Sequence, residues 1–167
     1  MMARAKKCST FVYPVWKTKP RLHSTEESAL DNADTPSSSA SSSDAFLVLL
    51  SQFQQPNYFL FTFLEEYRRD PASAQPWMSV AVYPDLLESK GMGLVRADFM
   101  PSISKAEASL LMDMLVDSYS TSTTHLEAFN LKPHSFNFDA YIAESKATYV
   151  SRLSASTTPT APANQHE

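Results

Sequence analysis

The stretch MSVAVYPDLLESKGMGLVRADFM, residues 78–100, decides the fold expected for this chain. It opens with an apolar run, residues 78–83, whose β-branched and aromatic side chains predict a strand. Pro84 then begins a short helical turn that Gly91 ends, because proline suits the first helical position and glycine the residue after the last. Residues 92–99 alternate in polarity, which predicts a second strand. The segment is therefore interpreted as two sheet strands joined by a tight connection.

Both glycines of the chain, Gly91 and Gly93, lie in this connection. A glycine-poor sequence that places both residues at one spot is expected to need a positive φ or a close backbone approach there. The connection is thus predicted to have one defined conformation.

The same stretch resembles the signature of the ATP synthase mitochondrial F1 complex assembly factor 1 family, whose members are chaperones of the F1 β subunit. That family has a Tyr-Pro pair, an acidic residue, a Lys-Gly pair and a strand that ends in alanine and an acid. A second motif of the family reads Phe-Asn-x-(Lys or Arg)-Pro-x-x-Phe. The matching residues here are Tyr83, Pro84, Asp85, Lys90, Gly91, Ala97 and Asp98 for the first motif, and Phe129, Asn130, Lys132, Pro133 and Phe136 for the second.

Composition limits the class of protein. The chain has 167 residues, a formal charge of −4 and one cysteine, Cys8, so it suits a single domain without an internal disulfide and argues weakly against nucleic acid as the main partner. No apolar run approaches the ~20 residues that span a bilayer, so we expect no membrane insertion.

The first 25 residues are basic and lack acids, and two readings stay open: a mitochondrial presequence, that is, a transit peptide, or a disordered basic tail. Residues 11–16 nevertheless predict a strand, and FVYPV resembles the strand that begins the family's sheet. The helical arm that precedes this strand in the family is expected to be missing here. Residues 17–44 include TPSSSASSSD, which predicts a flexible low-complexity insertion.

Order is expected to resume at Phe46. FLVLLSQF and YFLFTFLEE predict a hairpin with the loop Gln54-Gln55-Pro56-Asn57, and their continuous apolarity predicts strands covered on both faces. Glu65 and Glu66 are then placed at a strand end. Asp70 is expected to cap a helical turn that Pro76 ends.

Two helices are predicted in the last third of the chain. Ser104 and Glu107 form a capping box that begins the first, and its apolar stripe, Leu111, Met114 and Leu115, is expected to cover the sheet. The resemblance implies a final strand that runs into Phe129. Apolar spacing after residue 138 indicates a last helix, and the tail from residue 154 is disordered by composition.

No constellation of catalytic or metal-binding residues is found. His23, His125, His134 and His166 stand far apart, and no phosphate-binding glycine loop or GxSxG motif is present. Cys8 lies beside Lys6 and Lys7, which predicts a lowered pKa for its thiol, but no role is assigned to it. We therefore predict a non-enzymatic protein without a cofactor or metal.

The predicted fold class is α+β: a single domain in which a mostly antiparallel β-sheet is covered by two main α-helices, with a disordered insertion and tail. The expected divisions are residues 1–16 (basic segment with the first strand), 17–44 (insertion), 45–153 (the assembly-factor-like domain) and 154–167 (tail).

The resemblance implies a monomeric chaperone of the mitochondrial matrix that binds the unassembled F1 β subunit and prevents its aggregation until β pairs with α. A sheet face or edge near Arg96 and Asp98 is the expected contact. The motif residues are either partner contacts or requirements of the fold, and both roles stay open. Two rival hypotheses are a binding module of the same fold with another partner and an enzyme with a dispersed site.

Overall fold

A meander of five strands forms the centre of the computed structural model, which describes residues 1–16 and 45–156. Each strand pairs antiparallel with the next in the chain, in the order β1-β2-β3-β4-β5. The predicted α+β class is confirmed. The strands are β1 (Thr10–Trp16), β2 (Phe46–Gln54), β3 (Tyr58–Phe63), β4 (Pro76–Tyr83) and β5 (Leu94–Phe99).

Six helices accompany the sheet in the described part of the chain. The two longest, α4 and α6, are the two main helices that the sequence predicts. The bounds are α1 (Met2–Lys7), α2 (Leu64–Arg69), α3 (Leu87–Lys90), α4 (Lys105–Ser120), α5 (Thr124–Leu131) and α6 (Phe138–Ser156), with a 3₁₀ turn over Pro133–Ser135.

The core lies between one face of the sheet and helices α4, α5 and α6. Side chains that alternate along the strands point to this face, so that the rings of Phe11 and Phe59 meet Tyr141 of α6 and Tyr119 of α4 with centroids 5.2 and 5.1 Å apart. Leu111 and Leu115 are fully buried as predicted, and the capping box at Ser104 is present. Each large apolar side chain buried here stabilises the fold by roughly 1.5–3 kcal/mol.

The central stretch folds as β4, α3 and β5, as predicted. Gly91 ends α3 in the left-handed conformation with φ +65°, and its N–H donates to the Leu87 carbonyl at 3.0 Å. The prediction is wrong for Gly93, which has no positive φ, and a Cβ added there would meet no atom within 4 Å.

The hairpin prediction is confirmed, but the residues around β3 correct two details. Helix α2 begins directly after Phe63, so Glu65 and Glu66 lie in a helix whose acidic first turn and basic last turn suit its dipole. Asp70 caps a single helical turn, as predicted: its carbonyl accepts from the Ala74 N–H at 3.1 Å, and its carboxylate accepts from the Ser73 hydroxyl and the Ala72 N–H, which lower the pKa of Asp70.

The second detail concerns the sheet face opposite the core, here called the outer face. Helix α2 covers part of β2 there, and the amide of Gln52 donates to the Tyr67 hydroxyl at 3.3 Å. Tyr58 of β3 is exposed and Leu60 is half-buried on the same face. The prediction that both hairpin strands are covered on both faces is therefore wrong for β3.

The N-terminal residues belong to the fold. Ala5 of α1 and Cys8 are buried, and the Tyr119 hydroxyl donates to the Cys8 carbonyl at 2.7 Å. A disordered tail therefore does not describe residues 1–16, and a helix does precede β1. The expected lowering is also wrong for Cys8, because burial raises the pKa of its thiol more than Arg4 and Lys7 lower it.

The strand expected before Phe129 is a helix, α5. Its sequence THLEAFNL contains good helix formers, and Leu126 and Phe129 fall on one side of it, against the core. Helix α6 continues to Ser156, past the boundary expected at residue 153. The predicted insertion at 17–44 lies outside the described residues, as does the part of the predicted tail from residue 157; residues 154–156 of that tail are helical.

Candidate functional site

The free edge of β1 is covered by side chains from the helices. Ser9 pairs with Phe53 by a backbone hydrogen bond, so the even-numbered residues of β1 turn their N–H and C=O groups away from β2. The Asn130 amide donates to the Thr10 carbonyl at 2.7 Å and accepts from the Thr10 N–H at 3.4 Å, as a neighbouring strand would. The edge is thus closed at this point by one side chain.

Tyrosine hydroxyls and a proline close the rest of that edge. Tyr141 donates to the Val12 carbonyl and Tyr149 to the Trp16 carbonyl, each at 2.7 Å. Pro14, between them, has no N–H to satisfy. Sequence reasoning missed this role, although Tyr141 and Tyr149 stand two helical turns apart and a shared helix face was predictable from their spacing.

The second sequence motif lies at this β1 edge. Phe129 and Phe136 pack edge-to-face at 5.2 Å between ring centroids, and both contact Phe11 of β1. Pro133 begins the 3₁₀ turn, and Lys132 is exposed at the end of α5. Four of the five motif residues, all except Lys132, therefore hold α5 against β1 or form the turn that follows α5.

The first motif lies at the opposite edge of the sheet, four strands away or about 19 Å. Tyr83 ends β4 and is half-buried, and Pro84 and Lys90 are exposed around α3. Asp98 of β5 accepts a salt bridge from Arg96 at 2.8 Å, and this hydrogen bond raises the pKa of the Arg96 guanidinium. The structure therefore does not bring the two motifs together.

The edge of β5 differs from that of β1. Met100 donates to the Trp77 carbonyl at 2.8 Å, so even-numbered residues of this strand turn their backbone groups toward β4. Val95, Ala97 and Phe99 consequently point their N–H and C=O groups away from the sheet. Within residues 1–16 and 45–156, no strand pairs with that side of β5.

Exposed apolar side chains surround this edge. Leu87, Met92, Leu94, Phe99 and Met100 are each 42% to 56% exposed, and they all lie within one connected segment from α3 to the end of β5. A shallow groove of about 360 Å³ lies at the Phe99 and Met100 end of β5, lined by these two residues with Leu60 and Trp77 among others. We call the five exposed residues and the outward edge of β5 the β5 surface.

A smaller cavity of about 160 Å³ lies between α4, α5 and α6. Its polar side chains are paired across helices: the His125 ring nitrogen lies 2.7 Å from the Glu144 carboxylate, and Arg152 contacts Asp117. These pairs join α5 to α6 and α6 to α4. These contacts therefore connect the helices to one another.

Metal and membrane sites have no support in the described residues. No group of three or more histidine, cysteine, aspartate or glutamate side chains there is arranged to hold a metal ion. Likewise, no helix within residues 1–16 and 45–156 has both the length and the apolar character to cross a bilayer.

Comparison with protein families identifies the fold's relatives. The family described as ATP11 protein matches residues 1–142, which run from α1 into the start of α6. The chain belongs to the ATP11 family. ATP11 is the mitochondrial F1 ATP synthase assembly factor 1 family, so the resemblance identified from the two motifs is confirmed. A search among curated proteins found no match.

Membership in ATP11 gives the general class of function. ATP11 proteins serve the assembly of the mitochondrial F1 ATP synthase, as chaperone-type assembly proteins rather than enzymes. Both sequence motifs of this ATP11 member lie within the matched region. The β5 surface and the covered β1 edge lie within it as well, so they are the features to consider for an assembly role.

Proposed function

We propose that this ATP11 protein binds the unassembled F1 β subunit in the mitochondrial matrix, as a monomer, and keeps it from aggregating until β pairs with the α subunit. The observation that carries the proposal is the β5 surface, where Leu94 at the start of β5 is about half exposed, as is Met100 beside the groove at Trp77. A free β subunit exposes the apolar interface that α later covers, and apolar patches of that kind drive aggregation.

The β5 surface has the chemistry that such a role requires. Apolar side chains supply contact with an apolar patch, while Arg96 and Asp98 on the outer face form a polar rim. A chaperone must also release its client, and about −8 kcal/mol of binding free energy, which is micromolar affinity, is sufficient for that. A surface of a few exposed side chains suits reversible binding of this strength.

The first motif borders this surface directly. Lys90 and Gly91 end α3, and Gly91 turns the chain from α3 toward β5. Within this proposal Gly91 and Pro84 set the conformation of the segment, whereas Tyr83, Lys90 and Asp98 are available to contact the partner. The second motif, at the β1 edge, serves the fold.

Co-expression with F1 β tests the proposal. We expect β to stay in the soluble fraction with the wild-type chain, and Leu94→Lys to abolish most of this effect. Val150→Lys is the matched control, since Val150 is as exposed as Leu94 (57% against 54%) but lies on α6. The proposal is refuted if β precipitates as readily with the wild-type chain as without it, or if both variants behave alike.

A further inference from the structure

The two edges of the sheet differ in whether their backbone groups are covered. The β1 edge is closed by Asn130, Tyr141 and Tyr149, whereas the outward N–H and C=O groups of β5 meet no strand in the described residues. Proteins commonly block an edge strand because its unpaired backbone groups bind other strands. An open edge next to exposed apolar side chains is therefore suited to pairing with another strand.

The sequence of β5, LVRADF, is complementary to itself when two copies run antiparallel. With the two-fold axis at Ala97, Arg96 of one copy stands opposite Asp98 of the second copy, and Asp98 opposite Arg96. Val95 likewise stands opposite Phe99. Opposite charges and apolar pairs directly across a strand pair both stabilise it.

The backbone geometry selects this register from its neighbours. Val95, Ala97 and Phe99 carry the outward backbone groups, so they must pair among themselves. An axis at residue 96 or 98 places two like charges opposite each other. An axis at residue 95 places Arg96 opposite Leu94, and an axis at residue 99 places Asp98 opposite Met100, so that a charge faces an apolar side chain in both cases. Only the axis at Ala97 satisfies the backbone and both charges together.

The charged pairs would also lie where contact is closest. In antiparallel pairing, hydrogen-bonded and non-hydrogen-bonded residue pairs alternate, and side chains approach more closely in the latter. Ala97 would form the hydrogen-bonded pair on the axis, so Arg96 and Asp98 of the two copies would meet in non-hydrogen-bonded positions. Both side chains are more than 60% exposed, so they can exchange their contact within one chain, at 2.8 Å, for the same contact between the two copies.

We propose that two copies of this chain pair antiparallel through their β5 edges, with the two-fold axis at Ala97, to form one continuous ten-stranded sheet. Closed two-fold symmetry is the commonest form of self-association and needs only one self-complementary surface. A six-residue strand pair buries less surface than the ~1,200 Å² at which stable interfaces begin, so the dimer forms and dissociates readily. Pairing would cover the β5 surface in the absence of a partner.

Charge exchange tests the register. Sedimentation equilibrium over a concentration series is expected to give a reversible dimer for the wild-type chain. Arg96→Asp and Asp98→Arg should each weaken self-association about tenfold or more, because each creates two like-charge contacts per dimer. An equimolar mixture of the two variants should regain wild-type association as a heterodimer, and so should the double variant Arg96→Asp/Asp98→Arg.

A backbone variant tests the edge independently of charge. Ala97→Pro removes an outward N–H while the bonds to β4, made by the even-numbered residues, remain, so the variant should fold and stay monomeric. Ala97→Ser keeps the N–H and should dimerise. Circular dichroism tests whether each variant is folded. If Ala97→Pro is unfolded, hydrogen exchange of the wild-type chain replaces it as the test: exchange of the Val95, Ala97 and Phe99 amides must slow as the protein concentration rises.

The proposal is overturned if the wild-type chain stays monomeric at concentrations on the order of 1 mM, where even a weak dimer forms. It is also overturned if both charge variants associate like the wild type, or if their mixture does not associate. Addition of purified F1 β then tests competition, which rests on the proposed function: β should convert the dimer to a one-to-one complex. Failure of β to bind would refute the proposed function and leave self-pairing standing.

Discussion

Replacement of Asn130 by alanine should destabilise the fold without touching the β5 surface. The Asn130 amide nitrogen donates to the Thr10 and Leu126 carbonyls at 2.7 and 2.9 Å, and its oxygen accepts two longer bonds of 3.4 Å from Thr10. Each good hydrogen bond contributes about 1 kcal/mol net, and the two long bonds contribute little. We therefore expect the free energy of unfolding to fall by about 2 kcal/mol.

Urea unfolding followed by circular dichroism measures this change, and the midpoint of thermal unfolding should fall by about 4–8 °C for a chain of this size. Asn130→Asp tests the donors, because it keeps the shape and one acceptor oxygen but removes both donated bonds, and it should destabilise the fold to a similar extent. Lys132→Ala is the control from the same motif, since Lys132 is exposed, and it should stay within about 0.5 kcal/mol of the wild type.

The reasoning fails if Asn130→Ala unfolds like the wild type. A variant that kept full stability but no longer held F1 β in solution would make Asn130 a partner contact. The second motif would then be a binding site, and the hydrogen bonds of Asn130 to the β1 edge would make no measurable contribution to the free energy of unfolding.

Three further predictions follow from buried hydroxyls and from the two glycines. Tyr141→Phe should cost about 1–2 kcal/mol in urea unfolding because it leaves a buried carbonyl unpaired. Tyr13→Phe should cost clearly less, because the Ser118 hydroxyl beside Tyr13 already donates to the Met114 carbonyl at 2.8 Å; equal effects would contradict this. Gly91→Ala should lower the free energy of unfolding by about 1 kcal/mol, because Gly91 has a φ of +65°, which a residue with a Cβ adopts only at a cost. Gly93→Ala should leave it unchanged, and the reverse order would refute the conclusion that only Gly91 needs its glycine. Burial raises the pKa of Tyr13, Tyr119 and Tyr141 above 10.0, so their neutral forms stabilise the fold below about pH 10. That contribution to the free energy of unfolding is lost as the pH rises through the raised pKa values. Unfolding midpoints that stay constant from about pH 8 to about pH 11 would contradict this prediction.

Local patterns were predictable wherever the deciding interaction lies within a few residues. The apolar runs of β1 to β4, the alternation in β5, the capping box of α4 and the left-handed glycine at Gly91 all depend on neighbouring residues and were predicted. The boundary between β3 and α2 was missed because YFLFTF and LEEYRR form a continuous apolar-to-polar run without a proline or glycine between them. Helix α5 was missed because the family resemblance outweighed its helix-forming composition.

Pairs of distant residues were beyond the reach of local patterns. Asn130 and Thr10 are 120 positions apart, and Tyr141 and Val12 are 129 apart, so nothing in their neighbourhoods predicts that they meet. The resemblance marked Asn130 as a motif position, but only its bonds to β1 give that position a physical role. The paired charges around the cavity of α4, α5 and α6 were unpredictable for the same reason.

The sequence by itself determined the class of fold, the family through two motifs, and the conformation of the turn at Gly91, because these follow from composition and from contacts between near neighbours. Only the tertiary structure decided which edge of the sheet is covered and which is open. That difference depends on where α5 and α6 pack against the sheet, which brings their side chains to β1 and not to β5. The open edge of β5 is a consequence of the strand order, in which no described strand follows β5.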